Sequence, residues 1–221
     1  MKSHMRNMLS TIDHPQVVTK YLEEELRQSR IARVGSVETA QRLGIHCSPF
    51  GVIPKRNKPN KWRLIVDLSS PNGCSVNDGI CKDLASVSYV SMDDVVACIT
   101  KVGRGAVLAK MDVKQAYRNI PVHPQDRHLL GMCWEGVVYI DTVLPFGLRS
   151  AQLLFTAVAD ALEWIIHSKG VKWLFHYIDD FITIGAAKTN ECRNNIRIMK
   201  ATCEETGIPV ELRPSLRPPL S

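Results

Sequence analysis

The chain has 221 residues, 45% of them hydrophobic and 23% charged, with a formal net charge of +6. Those are the proportions of an ordinary globular protein, long enough for one large domain or two small ones. No long unbroken apolar run occurs, and the N-terminal MKSHMRNMLSTIDH lacks a secretory apolar core, so the expectation is an intracellular protein of cytoplasm or nucleus, neither secreted nor in a membrane.

Cys47, Cys74, Cys81, Cys98, Cys133, Cys192 and Cys203 are scattered, with no Cys-x-x-Cys pair. An odd, dispersed set reads as reduced thiols, mostly small buried hydrophobes, and argues against a structural zinc site.

In chain order, Val17, Val18, Tyr21, Leu22, Glu25 and Leu26 recur at helical spacing and predict an amphipathic helix over Pro15–Gln28. Ser36 can cap a short helix ending near Gly44. Two strand-like runs, Phe50–Lys55 and Lys61–Leu68, flank the turn-rich Asn57–Asn60 and predict a hairpin. Lys55, Arg56, Lys58, Lys61 and Arg63 cluster at its tip, and no acid lies between Thr39 and Val66. Unrelieved positive charge of this kind favours phosphate or nucleic acid as a partner. Ser69–Gly79 reads as loop. Ser91 and Asp94 form a capping box for a helix reaching about Val102, where Gly103 and Gly105 stop it.

Ala106–Met111 has a strand's length, with Asp112 at its C-terminal end. Leu129–Trp134 and Val137–Thr142 predict a hairpin about Glu135-Gly136. Ser150 can cap a helix with apolar positions Leu154, Phe155, Val158, Ala161, Leu162 and Ile165, ending at Lys169-Gly170. Next come two strand-favouring runs, Trp173–Ile178 and Phe181–Ile184, around the pair Asp179-Asp180. An Asp-Asp hairpin tip either lets water screen its repulsion or holds a cation. Thr189 or Asn190 caps a final helix with Cys192, Ile196, Met199 and Cys203 on one face. Gly207 ends it, and Ile208–Leu212 forms a last strand.

With Val113–Ser150 set aside, the order from Ala106 is β-α-ββ-α-β. This predicts an α+β fold containing a ferredoxin-like split βαβ, a four-stranded antiparallel sheet with two helices on one face. Its first and third strands are central neighbours, which brings Asp112 beside Asp179 and Asp180. Three carboxylates without His or Cys suit hard cations, Mg²⁺ first. Two such ions can clamp an in-line phosphoryl displacement. Together with a basic hairpin for a triphosphate, nucleotidyl transfer is the economical reading.

Four motifs in order resemble the reverse transcriptases: VIPKRNKPNKWRLIVDLS, KMDVKQAYRNIPVHP, LPFGLRSAQLLF and HYIDDF. The resemblance spans about Pro49 to Val210. SVNDGI, AYRNIPVHP and LPFGLRSA look closest to tyrosine-recombinase (DIRS-like) retrotransposons. The resemblance implies a polymerase fingers–palm fold. Fingers would occupy 1–86 with 120–148 inserted back, and palm 87–119 and 149–213. A proline-rich tail would follow at 214–221, without thumb or RNase H.

It further implies an RNA-directed DNA polymerase using two Mg²⁺ ions, with Mn²⁺ as an alternative, acting on deoxynucleotides and a primed RNA or DNA template. Asp112, Asp179 and Asp180 would be the catalytic and metal-binding acids, with the Val113 carbonyl completing one ion's shell. Arg56 and Arg63 would meet the triphosphate, together with the main-chain amides of Gln115 and Ala116. Tyr117 would abut the sugar and exclude a 2′-hydroxyl. Phe146 would pack near nucleotide and template base, and Tyr177 would touch the primer end. Two departures stand out. Gln152 replaces a common Pro, and GIPV is followed by ELRPSLRPPLS in place of a Glu-Lys pair. The alternative reading is therefore an inactive relic that binds nucleic acid or a partner.

Overall fold

The computed structural model describes residues 6–56 and 60–213. In chain order the helices are α1 Ser10–Asp13, α2 Pro15–Arg27, α3 Val37–Arg42, α4 Met92–Val102, α5 Ala151–Ser168 and α6 Glu191–Thr206. The strands are β1 Ile31–Ser36, β2 Phe50–Pro54, β3 Trp62–Val66, β4 Val107–Val113, β5 Gly131–Trp134, β6 Val137–Asp141, β7 Leu174–Tyr177, β8 Asp180–Gly185 and β9 Val210–Arg213. They fall into two units, residues 1–85 with 117–151 and residues 86–116 with 152–221.

In the first unit, Pro15 opens α2 in the first turn, where its missing N–H leaves nothing unpaired. The helix turns Val18 and Leu22 onto Ile31, Phe50, Val52 and Met132. Phe50 and Val18 are completely buried, each contributing roughly 2 kcal/mol of hydrophobic stabilisation. Strands β1, β6 and β5 form an antiparallel sheet, and β2 pairs with β3. Glu25, on the buried side of α2, is the one acid among these apolar positions. Arg118 answers it through Nε at 3.1 Å and Nη2 at 2.5 Å, while Arg118 Nη1 donates to Asp141 at 2.6 Å. Burial pushes the Asp141 carboxyl up to about 6 against the pull of Arg118.

β1 lies where the sequence reading placed no element. Its six residues, IARVGS, lack a clean alternation, and the register slips between Arg33 and Gly35. The tip of the β2–β3 hairpin, including Lys58, lies outside the described residues. The expected loop Ser69–Gly79 contains a 3₁₀ turn, Val76–Gly79, closed by a capping box between Ser75 and Asp78. The Ser75 hydroxyl is the main cause holding the Asp78 carboxyl below its usual range, aided by the Ser75 and Gly73 amides.

The second unit carries the expected split βαβ. Its sheet runs β7-β8-β4-β9, antiparallel throughout, with β4 and β8 central. Leu174, Phe181, Thr183, Ala109 and Met111 share one face through directly opposed register positions. α5 and α6 lie on that face. The Glu163 carboxylate accepts from His176 Nδ1, and Asn195 Nδ2 donates to Thr183 Oγ1 at 2.9 Å. Phe181 and Met111 are fully buried there. Gly185 admits α6 to the strand end, since a Cβ would meet Cys192 N at 2.4 Å. The buried row of α5 is Phe155, Ala159, Leu162 and Ile166, while Leu154 and Val158 are exposed. The helix is thus rotated by about one residue from the face the apolar spacing suggested.

The opposite face carries Leu108, Lys110, Asp112, Asp180, Ile182 and Ile184. α4 covers its far end, packing Val95 and Cys98 on Ala106, Ile184, Leu108 and Phe175. Both hydrogen bonds of the Ser91–Asp94 capping box are present, Asp94 N–H to the Ser91 hydroxyl and Ser91 N–H to the Asp94 carboxylate. The acids lie at the other end of this face.

All seven cysteines are free; Cys98, Cys192 and Cys203 are buried, Cys74 and Cys81 exposed, and Cys47 and Cys133 intermediate. "Mostly buried" is therefore too strong. No helix among the described residues is long and apolar enough to cross a membrane.

Candidate active site

Asp112 is the sixth of seven residues in β4 and stands directly opposite Asp180, the first residue of β8. Tyr177 pairs with Asp180 from the other side. The hairpin tip is therefore Ile178-Asp179, one residue earlier than the expected Asp179-Asp180 tip. Ile178 takes φ +56, and positive φ at the first central residue is the pattern of a type II′ turn, which matches strand twist. A β-branched residue there is strained, a cost of order 1–3 kcal/mol that persists only where the surroundings impose it. Part of that imposition is visible: Val113 N–H donates to the Asp179 carbonyl at 2.8 Å, tying the turn to β4.

One oxygen each of Asp112, Asp179 and Asp180 lies within 4.8 Å of the others. At that spacing two full charges repel by roughly 3 kcal/mol at an effective dielectric near 20. Lys110 offsets part of this, its ammonium 2.5 Å from Asp180 Oδ2. Asp180 Oδ1 is buried without a hydrogen-bond partner among the described residues, and a buried carboxylate oxygen in that condition suits a cation. Oxygen-only donors, with no His or Cys among them, fit Mg²⁺ or Mn²⁺. Glu211 of β9 faces Asp112 across the other ladder, so acids run in one row over three strands. The sequence reading did not single out Glu211; the register of the last strand is what reveals it.

The remaining expected residues divide between the units. Val113 is buried beside the triad in sequence, Gln115 is exposed with φ +54, and Ala116 opens a 3₁₀ turn over Ala116–Asn119. In the first unit, Tyr117 and Phe146 meet edge to face, ring centroids 5.2 Å apart. Arg63 projects from β3 opposite Ile53, and Arg56 follows β2; both are exposed.

A brace behind Phe146 escaped the sequence reading. The Asn77 amide donates to the Gly147 carbonyl and to Ser69 Oγ, each at 2.9 Å, and accepts from Arg149 N–H at 2.8 Å. The Arg149 guanidinium in turn donates to the Asn77 and Ile80 carbonyls. Gly147, at φ +91, makes the turn. Asn-Asp-Gly in a loop looks like ordinary turn chemistry, which hid this partner seventy residues away.

A family model for reverse transcriptase (RNA-dependent DNA polymerase) matches residues 53–213. The chain belongs to this family. It is 24% identical over 171 residues to the retrovirus-related Pol polyprotein from transposon opus of Drosophila melanogaster, covering 76% of this chain and 16% of that protein. The corresponding protein of transposon 412, from the same organism, is 26% identical over 166 residues, covering 73% and 12%. The chain thus spans about a sixth or less of these relatives' length. Among solved structures, native prototype foamy virus protease–reverse transcriptase superposes with a TM-score of 0.68 at 20% identity, covering 98% of this chain and 25% of that one. A foamy viral protease–reverse transcriptase solved in complex with dsDNA gives 0.69 at 18%, covering 95% and 38%. The fold is the α+β fingers–palm fold of reverse transcriptases. These relatives are Pol proteins of retrovirus-related elements and lend no support to the finer likeness to tyrosine-recombinase retrotransposons.

Proposed function

We propose that this chain is the RNA-directed DNA polymerase domain of a retroelement, adding deoxynucleotides to a primer 3′-hydroxyl. The observation that carries this is the convergence of Asp112, Asp179 and Asp180 within 4.8 Å at the end of the split βαβ sheet away from α4. We assign residues 1–86, with 120–148 inserted back, to fingers and 87–119 with 149–213 to palm. The three aspartates are the residues that would hold two divalent ions, which when bound activate the attacking oxygen and stabilise the leaving one.

The chain's own groups position and neutralise. Arg63 and Arg56 bind the triphosphate, and main-chain amides at Gln115 and Ala116 face it. Val113 contributes its carbonyl to one ion's shell. Tyr117, backed by Phe146, forms the floor under the sugar and disfavours a 2′-hydroxyl. Tyr177 contacts the primer end. No protein nucleophile is required. Primed template, RNA or DNA, and deoxynucleotides are the implied partners, in keeping with a relative solved in complex with dsDNA.

The deciding experiment is primer extension on an RNA template with Mg²⁺ or Mn²⁺, offering deoxy- and ribonucleotides separately. Extension by deoxynucleotides alone supports the assignment. Equal extension by wild type and Asp179→Asn would sink it.

A further inference from the structure

Gln152 is the position at which the second motif departs from its family, and the structure gives that departure a partner. The side-chain amide of Gln152, in the first turn of α5, donates to the Tyr89 hydroxyl. The Tyr89 ring then lies against Tyr177, centroids 4.8 Å apart and planes at 48°. Tyr177 is the residue paired with Asp180 across the hairpin. It is 53% exposed, and its backbone lies at the end of the short β7–β8 ladder. All of these residues lie in the second unit.

We infer that Tyr89, fastened by Gln152, is a positioning residue for Tyr177 and through it for the primer terminus; this rests on the polymerase reading above. An exposed tyrosine otherwise samples several rotamers. A second ring packed against it at a tilted geometry, with the centroid separation typical of aromatic pairs, removes that freedom. Tyr89 itself sits in irregular chain just before α4, so it needs its own anchor, and the Gln152 amide supplies one. A proline at 152 has no side-chain donor and would leave the Tyr89 phenol without this bond. Gln152 thus supplies a hydrogen bond to Tyr89, whose ring in turn meets the catalytic hairpin at Tyr177.

The test uses the full chain and two readouts. Tetranitromethane nitrates accessible phenols, and peptide mass spectrometry reports Tyr177 separately. Tyr89→Ala should raise Tyr177 nitration several-fold. Tyr89→Phe, which keeps the ring and loses the hydroxyl, and Gln152→Pro, which removes the donor, should raise it less. Proline is tolerated in a first helical turn, so Gln152→Pro should melt as wild type does. In single-nucleotide extension, Tyr89→Ala should lower kcat by about tenfold through misplacement of the primer end. KM for the deoxynucleotide should stay within about twofold, because the lost interaction is not with the nucleotide. Tyr89→Phe should recover most of the rate. Unchanged Tyr177 nitration in all three variants overturns the inference, as does a raised KM with unchanged kcat. A wild-type chain that extends no primer while Tyr89→Ala still raises nitration overturns the polymerase reading and leaves the Tyr89–Tyr177 contact standing.

Discussion

Asp112 and Asp180 face each other across the central ladder of the second unit, and Lys110, two residues before Asp112, closes on Asp180 at 2.5 Å. Like charges directly opposite on neighbouring strands destabilise a sheet. Lys110 serves the pair as an internal counter-charge, with which a divalent ion would compete.

Removing one acid should therefore stabilise the metal-free chain. Asp112→Asn is expected to raise its melting temperature in EDTA and to abolish the further rise that Mg²⁺ gives wild type. Thermal unfolding with and without metal measures both. A variant that melts lower than wild type in EDTA contradicts the account.

Lys110→Met takes away the counter-charge while keeping the stem's bulk. The expected result is a less stable metal-free chain that binds Mn²⁺ more tightly, by about tenfold for each 1.4 kcal/mol of repulsion relieved on binding. Calorimetric titration of Mn²⁺ into the two proteins decides it; equal affinities would mean that Lys110 does not compete with the ion.

Arg118 is buried between Glu25 and Asp141. Arg118→Met should cost about 3–5 kcal/mol, because it strands two acids inside the first unit. Urea unfolding measures the loss.

The pH dependence of Asp141 has a definite sign. Its carboxyl is pushed up to about 6, mainly by burial. The folded state thus prefers the protonated form more than the unfolded chain does. The associated stability is fully present below the ordinary carboxylate range and is lost as pH rises through about 6. Asp141→Asn cannot titrate there, so the stability of wild type minus that of the variant should fall between pH 4 and pH 6 and flatten above. Urea unfolding across that range checks it; a difference that grows with pH would reverse the assignment.

Asn77 braces the turn that carries Phe146. Asn77→Ala should leave kcat within about threefold and raise KM for the deoxynucleotide several-fold, the signature of lost nucleotide binding. Steady-state single-nucleotide addition separates the two constants.

Local signals in the chain were strong where one residue type dominates a conformation. The Ser91–Asp94 box, Gly207 after α6 at φ +72, and the apolar runs of β4 and β8 were all readable. The sheet order followed from element order alone, and with it the meeting of Asp112, Asp179 and Asp180. β1 was not readable, because its pairing with β6 lies about a hundred residues away and its pattern does not alternate. The tip at Ile178-Asp179 was also hidden: no propensity assigns positive φ to isoleucine, and only the pairing of Tyr177 with Asp180 fixes it. Long-range polar partners such as Asn77 with Gly147 leave no trace in spacing.

The β7–β8 hairpin turns on two residues, and its partners are fixed from Leu174–Thr183 down to Tyr177–Asp180. Side chains alternate faces along each strand, so one residue gained or lost on β8 would carry Asp180 to the side where α6 packs and bring Phe181 out to the acids. Substitutions in this segment can be absorbed one side chain at a time. A change of length cannot, and between Trp173 and Gly185 the count of residues is held more tightly than most of their identities.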